Sequence, residues 1–217
     1  MNAIYRIWGR RIVMIVIPLL LVALEWNHPV GFSKNVSQGL GPVAAWWKYL
    51  HVFQSFLFGG IAIGAVLLTC NINNFLGLLS KVFLWLFAVC YLVFDSTAGI
   101  SVGYILETSQ QNPHMDQNTI NEVVQNLYND RLIGGRSSYF SLTGSWSWLL
   151  GIATAIIAIF INNRQYPLWK LAPPLLLLMI SAYSLYVGHY PPYGPIAFGC
   201  FAAASLWFEV FRFGPAS

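Results

Sequence analysis

Asp95 stands inside an apolar stretch, with Phe94 before it and Ser96-Thr97-Ala98-Gly99 after it. A carboxyl near the middle of a membrane span costs about 2.5–3.5 kcal/mol or more, so it faces the bundle interior. In apolar surroundings it tends to be neutral and can donate or accept hydrogen bonds. A second apolar run opens with His51, Gln54 and Ser55, which share one helical face. His189 begins the short hairpin His189-Tyr190-Pro191-Pro192-Tyr193-Gly194, and Ser141, Thr143, Ser145 and Ser147 cluster at the start of another run. His51, Gln54, Asp95 and His189 are therefore the candidate ligand-binding residues, for a small polar molecule, a proton or a lipid headgroup; binding or passing such a ligand through an outward-facing cavity is the leading expectation, and a structural membrane subunit with no site of its own is one alternative. No arginine or lysine lies at mid-depth, so tight binding of an anionic substrate is not expected.

The same residues support metal chemistry. Glu25-Trp26-Asn27-His28 has the Glu-x-x-His spacing of di-metal bundles, although no second copy occurs. His51 and His189 could be axial ligands of a haem, or could ligate zinc or iron with Glu25 or Asp95. His28, His51, His189 and Glu25 are the candidate metal ligands. A carboxylate and histidines around a lipid-accessible cavity could also activate water as a membrane-embedded hydrolase. In residue type, Asp95, Ser96 and the histidines resemble the alkaline-ceramidase-like intramembrane hydrolases, which hold zinc with three histidines, an aspartate and a serine. The His-x-x-x-His pair of those enzymes is absent, because Tyr193 stands four residues after His189.

Depth favours a ladder of polar groups over one centre. Asp95 is twelve residues from Glu107, roughly 18 Å along a helix. Metal ligands must converge to about 2 Å from one ion.

The elements that must position these groups are membrane helices. The chain has 217 residues, 57% of them hydrophobic and 8% charged, against about 25% charged in an ordinary soluble domain. The expected fold is all-α, one polytopic bundle over residues 1–217. Six transmembrane helices are predicted near 12–24, 49–69, 81–107, 139–161, 168–188 and 195–213. Pro18 should bend the first. Trp46, Trp47 and Tyr49 mark a membrane interface. Gly60 and Gly64 form a GxxxG that offers a face for oligomerisation. The polar segment 107–137 should hold a short extracytoplasmic amphipathic helix, opened by a Thr119–Glu122 capping box, on the membrane surface or across the bundle mouth. Cys70, Cys90 and Cys200 show no CxxC spacing and read as small buried hydrophobes.

Seven basic residues (Arg6, Arg10, Arg11, Lys81, Arg164, Lys170 and Arg212) fall on the side of the termini, and four (Lys34, Lys48, Arg131 and Arg136) on the other. That asymmetry predicts cytoplasmic N- and C-termini. His28, His51, His114 and His189 then lie on the outer half, around a polar crater with Asp95 at its floor. The net charge of +4 is small and gives no reason to expect nucleic acid; the expected partners are the bilayer and a small or lipid ligand.

The order of motifs resembles a family of small, roughly six-span bacterial membrane proteins of unassigned function. The motifs are His28-Pro29, then Trp47-x-x-x-His51-x-x-Gln54, then Phe94-Asp95-x-x-Ala98-Gly99-Ile100-x-x-Gly103, and finally His189-x-Pro191-Pro192-x-Gly194-Pro195. The resemblance implies this topology and a bacterial inner-membrane location. It implies no substrate, cofactor or catalytic residue.

Overall fold

The computed structural model describes residues 8–30, 35–112 and 114–211. Arg6, Lys34 and Arg212, counted above for orientation, lie outside the described residues. Among the described residues the fold is all helical, with no strand. Helix α1 is a π-helical stretch, Ile12–Val16, running into Ile17–Trp26. It is followed by α2 (Val36–Leu68), α3 (Phe75–Gln111), α4 (Gln117–Tyr128), α5 (Tyr139–Asn162), α6 (Leu168–Val187) and α7 (Tyr193–Phe211). Five of them, α2, α3, α5, α6 and α7, are long and apolar enough to cross a membrane, which makes this a membrane-embedded multi-pass protein.

Local sequence explains the irregularities. Pro18 cannot donate a backbone hydrogen bond and crowds the carbonyl four residues back. The π-helical Ile12–Val16 immediately before it widens the helix where that crowding falls. Residues 36–48, expected as loop, are helical: Pro42 sits in the first turn of a 3-10 segment, Gly41–Val43, where its missing N–H costs nothing. Helix α3 extends beyond Glu107 to Gln111.

The capping box is also corrected. Asp116 caps α4, accepting from the Asn118 N–H at 3.1 Å and from the Thr119 hydroxyl at 2.6 Å. With Asp116 capping, Thr119 serves the cap instead of being it.

Apolar partners in lipid gain little from leaving it, so the bundle relies on packing and interhelical hydrogen bonds. Phe58, Phe87, Tyr91, Trp148, Phe198 and Phe201 fill the centre with no more than 1% exposure. Helix α3 lies on α5, fixed by the Ser80 hydroxyl donating to the Gly151 carbonyl at 2.8 Å. The Gly60/Gly64 face does not wait for a second chain. A methyl on Gly60 would meet the Ile17 side chain, and one on Gly64 would meet the Val13 carbonyl oxygen at 3.1 Å. That face is covered by α1 of the same chain.

The two ends of the bundle differ. At one end Arg10 donates to Glu209 at 2.7 Å. About 27 Å along α1, by its rise per residue, the chain leaves the helix at His28.

Candidate metal centre

Three of the four histidines converge. His28 follows α1, His51 projects from α2, and His189 lies in the hairpin between α6 and α7. Each offers one ligand atom, and the three atoms lie within 4.8 Å of one another. His28 packs edge to face on His51 and on His189, with ring centroids 5.5 and 5.0 Å apart. His114 does not join them and is exposed in the α3–α4 connection.

The hydrogen bonds fix how each ring presents itself. His28 Nδ1 lies 2.9 Å from the Pro29 carbonyl, and His51 Nδ1 lies 2.8 Å from the Trp47 carbonyl. A carbonyl only accepts, so Nδ1 carries the proton in both rings and Nε2 keeps its lone pair. His28 Nε2 is buried with no partner. Metal-ligating histidines are set in this way, with the second nitrogen committed to a carbonyl or carboxylate. Burial holds the His28 pKa down at about 4. Burial and the neighbouring His28, His51 and Arg136 hold that of His189 well below its usual value. Both rings are therefore neutral at neutral pH, which is the ligating form.

Close backbone approach places His51. Helix α3 is π-helical over Asp95–Ser101, and a methyl on Gly99 would collide with the His51 ring. The widened turn leaves the Ala98 carbonyl to accept from the Trp47 indole at 3.1 Å. Trp47, expected at the interface with Trp46 and Tyr49, is instead 3% exposed; the other two are 39% and 52% exposed. Higher up, Gly103 faces the Lys48 backbone, and Lys48 pairs with Glu107. These contacts set α2 and α3 so that Asp95 sits about one helical turn below His51, closer than the 18 Å separation along α3 suggested. His189 is walled by Phe58, Tyr91 and Phe94, with centroids 6.1, 6.0 and 5.7 Å away.

Glu25, Gln54 and Asp95 form a second, deeper set with no exposed surface. Gln54 donates to Glu25 Oε1. Glu25 Oε2, Gln54 Oε1 and both Asp95 oxygens have no hydrogen-bond partner, and the two carboxyls are within electrostatic reach of each other. Neither carboxyl belongs to the histidine cluster, so Glu25, expected as a metal ligand, is held by Gln54 instead. Ser96 also stands apart: its hydroxyl donates to the Leu92 carbonyl of its own helix at 2.6 Å.

The histidines form the wall of a 510 Å³ cavity. Ser141 and Ser145 line it, whereas Glu25, Gln54, Ser55, Thr143 and Ser147 do not, and Asp95, expected at its floor, is buried behind the wall and does not line it either. Sequence reasoning missed Arg136, Tyr128 and Tyr190, which also line it. The signal for Arg136 was its place beside Gly134-Gly135, at the return of the polar segment to the bundle. Three rings in edge-to-face contact leave no slot for a macrocycle between them, so the spacing does not suit a haem held by His51 and His189.

No family model, curated protein or solved structure matches this chain. The resemblance to six-span bacterial proteins thus rests on the quoted motifs alone.

Proposed function

We propose that the chain is a membrane-embedded, metal-dependent hydrolase. His28, His51 and His189 hold one divalent transition metal, of which zinc is the natural candidate for an all-imidazole set. The observation that carries this is the convergence of three ring nitrogens within 4.8 Å, with two of the Nδ1 atoms already committed to backbone carbonyls. Tetrahedral ligands about 2.0–2.1 Å from zinc stand roughly 3.3 Å from one another, so the rings need close by no more than about 1.5 Å. Three protein ligands leave a fourth position open, the arrangement of catalytic sites and not of structural ones. All three histidines line the cavity.

A metal there supplies a water acidic enough to act as hydroxide near neutral pH. Held by His28, His51 and His189, it would serve hydrolysis of an ester, the water oxygen bonding to the acyl carbon or phosphorus as the bond to the leaving group breaks. Asp95 does not line the cavity; buried about a turn below His51 with both oxygens unpartnered, it would exchange a proton with the site through the histidine layer without touching the substrate. The chain crosses the bilayer six times, α1 included, with cytoplasmic termini, and sits in a bacterial inner membrane. Helix α4 lies outside as an amphipathic cover whose Tyr128 closes one side of the cavity.

A second reading has a specific observation behind it. Both Asp95 oxygens are buried and unpartnered behind the cavity wall, which fits a metal-free protein that binds or passes a proton or small ligand at this carboxyl.

The test is metal analysis of the detergent-purified protein, prepared without chelator or histidine tag. Zinc near one per chain is expected, lost in His51→Ala and in His189→Ala. The affinity loss should exceed the roughly 10–100-fold typical of removing a mere supporting residue. Metal far below stoichiometric in protein supplied with zinc would end the hydrolase reading and leave the ligand-binding one.

A further inference from the structure

Arg136 is the cation that the sequence placed only on a loop. The fold brings it to the cavity wall, and its charge acts on His189. The guanidinium is fixed by two of its five N–H donors: one to the Tyr190 hydroxyl at 2.7 Å and one to the Val187 carbonyl at 2.9 Å. Among the described residues no carboxylate pairs with it, although Arg10, Arg11 and Lys48 each have one. It also lies over the Tyr190 ring, 5.4 Å from the centroid. A planar fork held in place, with donors to spare and no counter-ion, is built to meet a planar or tetrahedral oxyanion.

Apart from Ser141, Ser145 and the tyrosines, the rest of the lining is largely apolar. Val30 and Leu142 line the cavity and are 60% and 45% exposed, while Trp47, Phe94 and Val187 continue that wall inward. A cavity of 510 Å³ is within the range of about 300–1,000 Å³ that takes a small molecule or the head and first carbons of a chain.

We propose that this cavity takes an amphiphile with an oxyanion head, a phosphate in the first instance, bound by Arg136 with its apolar tail leaving between Val30 and Leu142. This names the substrate class of the hydrolase and rests on the cavity being its substrate chamber. It reverses the expectation that the absence of a basic residue at mid-depth disfavours anions: Arg136 is on no span, yet it reaches the chamber.

Binding of dodecyl phosphate, dodecanol and inorganic phosphate to the zinc-supplied protein in non-ionic detergent, followed by titration calorimetry, tests this. Dodecyl phosphate should bind at least ~10-fold more tightly than either of the others. Arg136→Gln should weaken dodecyl phosphate ~10-fold or more with zinc content and elution volume unchanged, and Arg136→Lys should recover part of the loss. Equal affinity for dodecyl phosphate in wild type and Arg136→Gln would overturn the proposal. So would dodecanol binding as well as dodecyl phosphate. Inorganic phosphate binding as tightly as dodecyl phosphate would show a free-anion site and overturn the amphiphile. If zinc does not bind while Arg136-dependent dodecyl phosphate binding persists, the metal reading has failed and the oxyanion site stands. If zinc binds without Arg136 dependence, only the oxyanion site has failed.

Discussion

The histidine layer and the carboxyl layer share α1 and α2, with His189 added from the α6–α7 hairpin and Asp95 from α3, yet they are finished differently. His28 and His51 each spend Nδ1 on a carbonyl, and with His189 they bring one ligand atom each within 4.8 Å of the others. Glu25, Gln54 and Asp95 are at least as buried, but four of their oxygens are uncommitted and they do not converge with metal spacing. A buried polar atom without a partner costs about 1–3 kcal/mol. The upper layer is thus preorganised for a ligand with little left unsatisfied but the ligating atoms. The lower layer carries a standing cost, which a proton, water or transferred charge would relieve. On the proposed function, the difference separates holding a metal from moving a proton.

The largest effect that could break this division is at Asp95. Asp95→Asn keeps the shape and removes the proton acceptor. Hydrolysis of dodecyl 4-nitrophenyl phosphate by the zinc-loaded protein should fall by roughly 10²–10⁴-fold, the range for losing a general acid–base group, with zinc content unchanged. Loss of zinc in this variant would mean that the layers are one site. Unchanged turnover would remove Asp95 from the chemistry.

Next comes the join between the layers. Gly99→Ala drives a methyl into the His51 ring, and overpacking of this kind costs about 1–3 kcal/mol. Thermal unfolding in detergent should fall accordingly, with weakened zinc binding. Gly59→Ala on the neighbouring helix, where a methyl meets nothing within 4 Å, should do neither. Equal behaviour of the two variants would show that close packing at Gly99 does not hold His51 in place.

Five of the membrane helices were legible as long apolar runs, and the gathering of His28, His51 and His189 at one end of the bundle followed from where those runs end. Their convergence was not legible. It depends on the register of α2 against α3, which is set by a π-helical turn and by Gly99 lying against a ring, and periodicity alone reports neither. The depth estimate assumed that Glu107 marks the membrane surface, whereas α3 continues to Gln111 and Glu107 pairs with Lys48. Gly60 and Gly64 were correctly read as a close-packing stripe, but the sequence does not say whose helix packs there. Arg136 was counted as a loop charge because the chamber it serves is made by elements that are remote in sequence. Ser96 sits next to Asp95 in the chain but faces its own helix.

A smaller effect probes the register itself. Trp47→Phe removes the indole donor from the Ala98 carbonyl while keeping an aromatic ring against His28 and His51. One hydrogen bond is worth about 1 kcal/mol, so stability should fall by that amount in denaturation curves, with zinc retained. A fall several times larger, together with loss of zinc, would mean that this bond and not Gly99 sets the alignment of α2 and α3.

The smallest effect concerns the cover and not the layers. Helix α4, which brings Tyr128 to the cavity, begins at Asp116 and is followed by Asp130, which accepts from the Leu132 and Ile133 N–H groups at 2.8 and 2.9 Å. Hydrogen bonds hold both carboxyls below the usual aspartate value of 3.8, chiefly that from the Thr119 hydroxyl for Asp116 and that from the Ile133 N–H for Asp130. A depressed folded-state pKa stabilises above the unfolded value and is lost as pH falls through the folded one. The ends of α4 should therefore keep their protection at pH 5 to 7 and loosen only below about pH 4. Both groups are exposed, so the loss is local fraying and not unfolding of the bundle. Amide exchange compared at pH 5 and pH 3, corrected for the intrinsic rate, reads it directly. Asp116→Asn should remove most of the pH dependence at the start of α4 while leaving α2 and α3 unchanged. If the core helices loosened together with α4, the cover would be part of the same cooperative unit as the histidine layer, and Tyr128 could not move independently to admit a ligand.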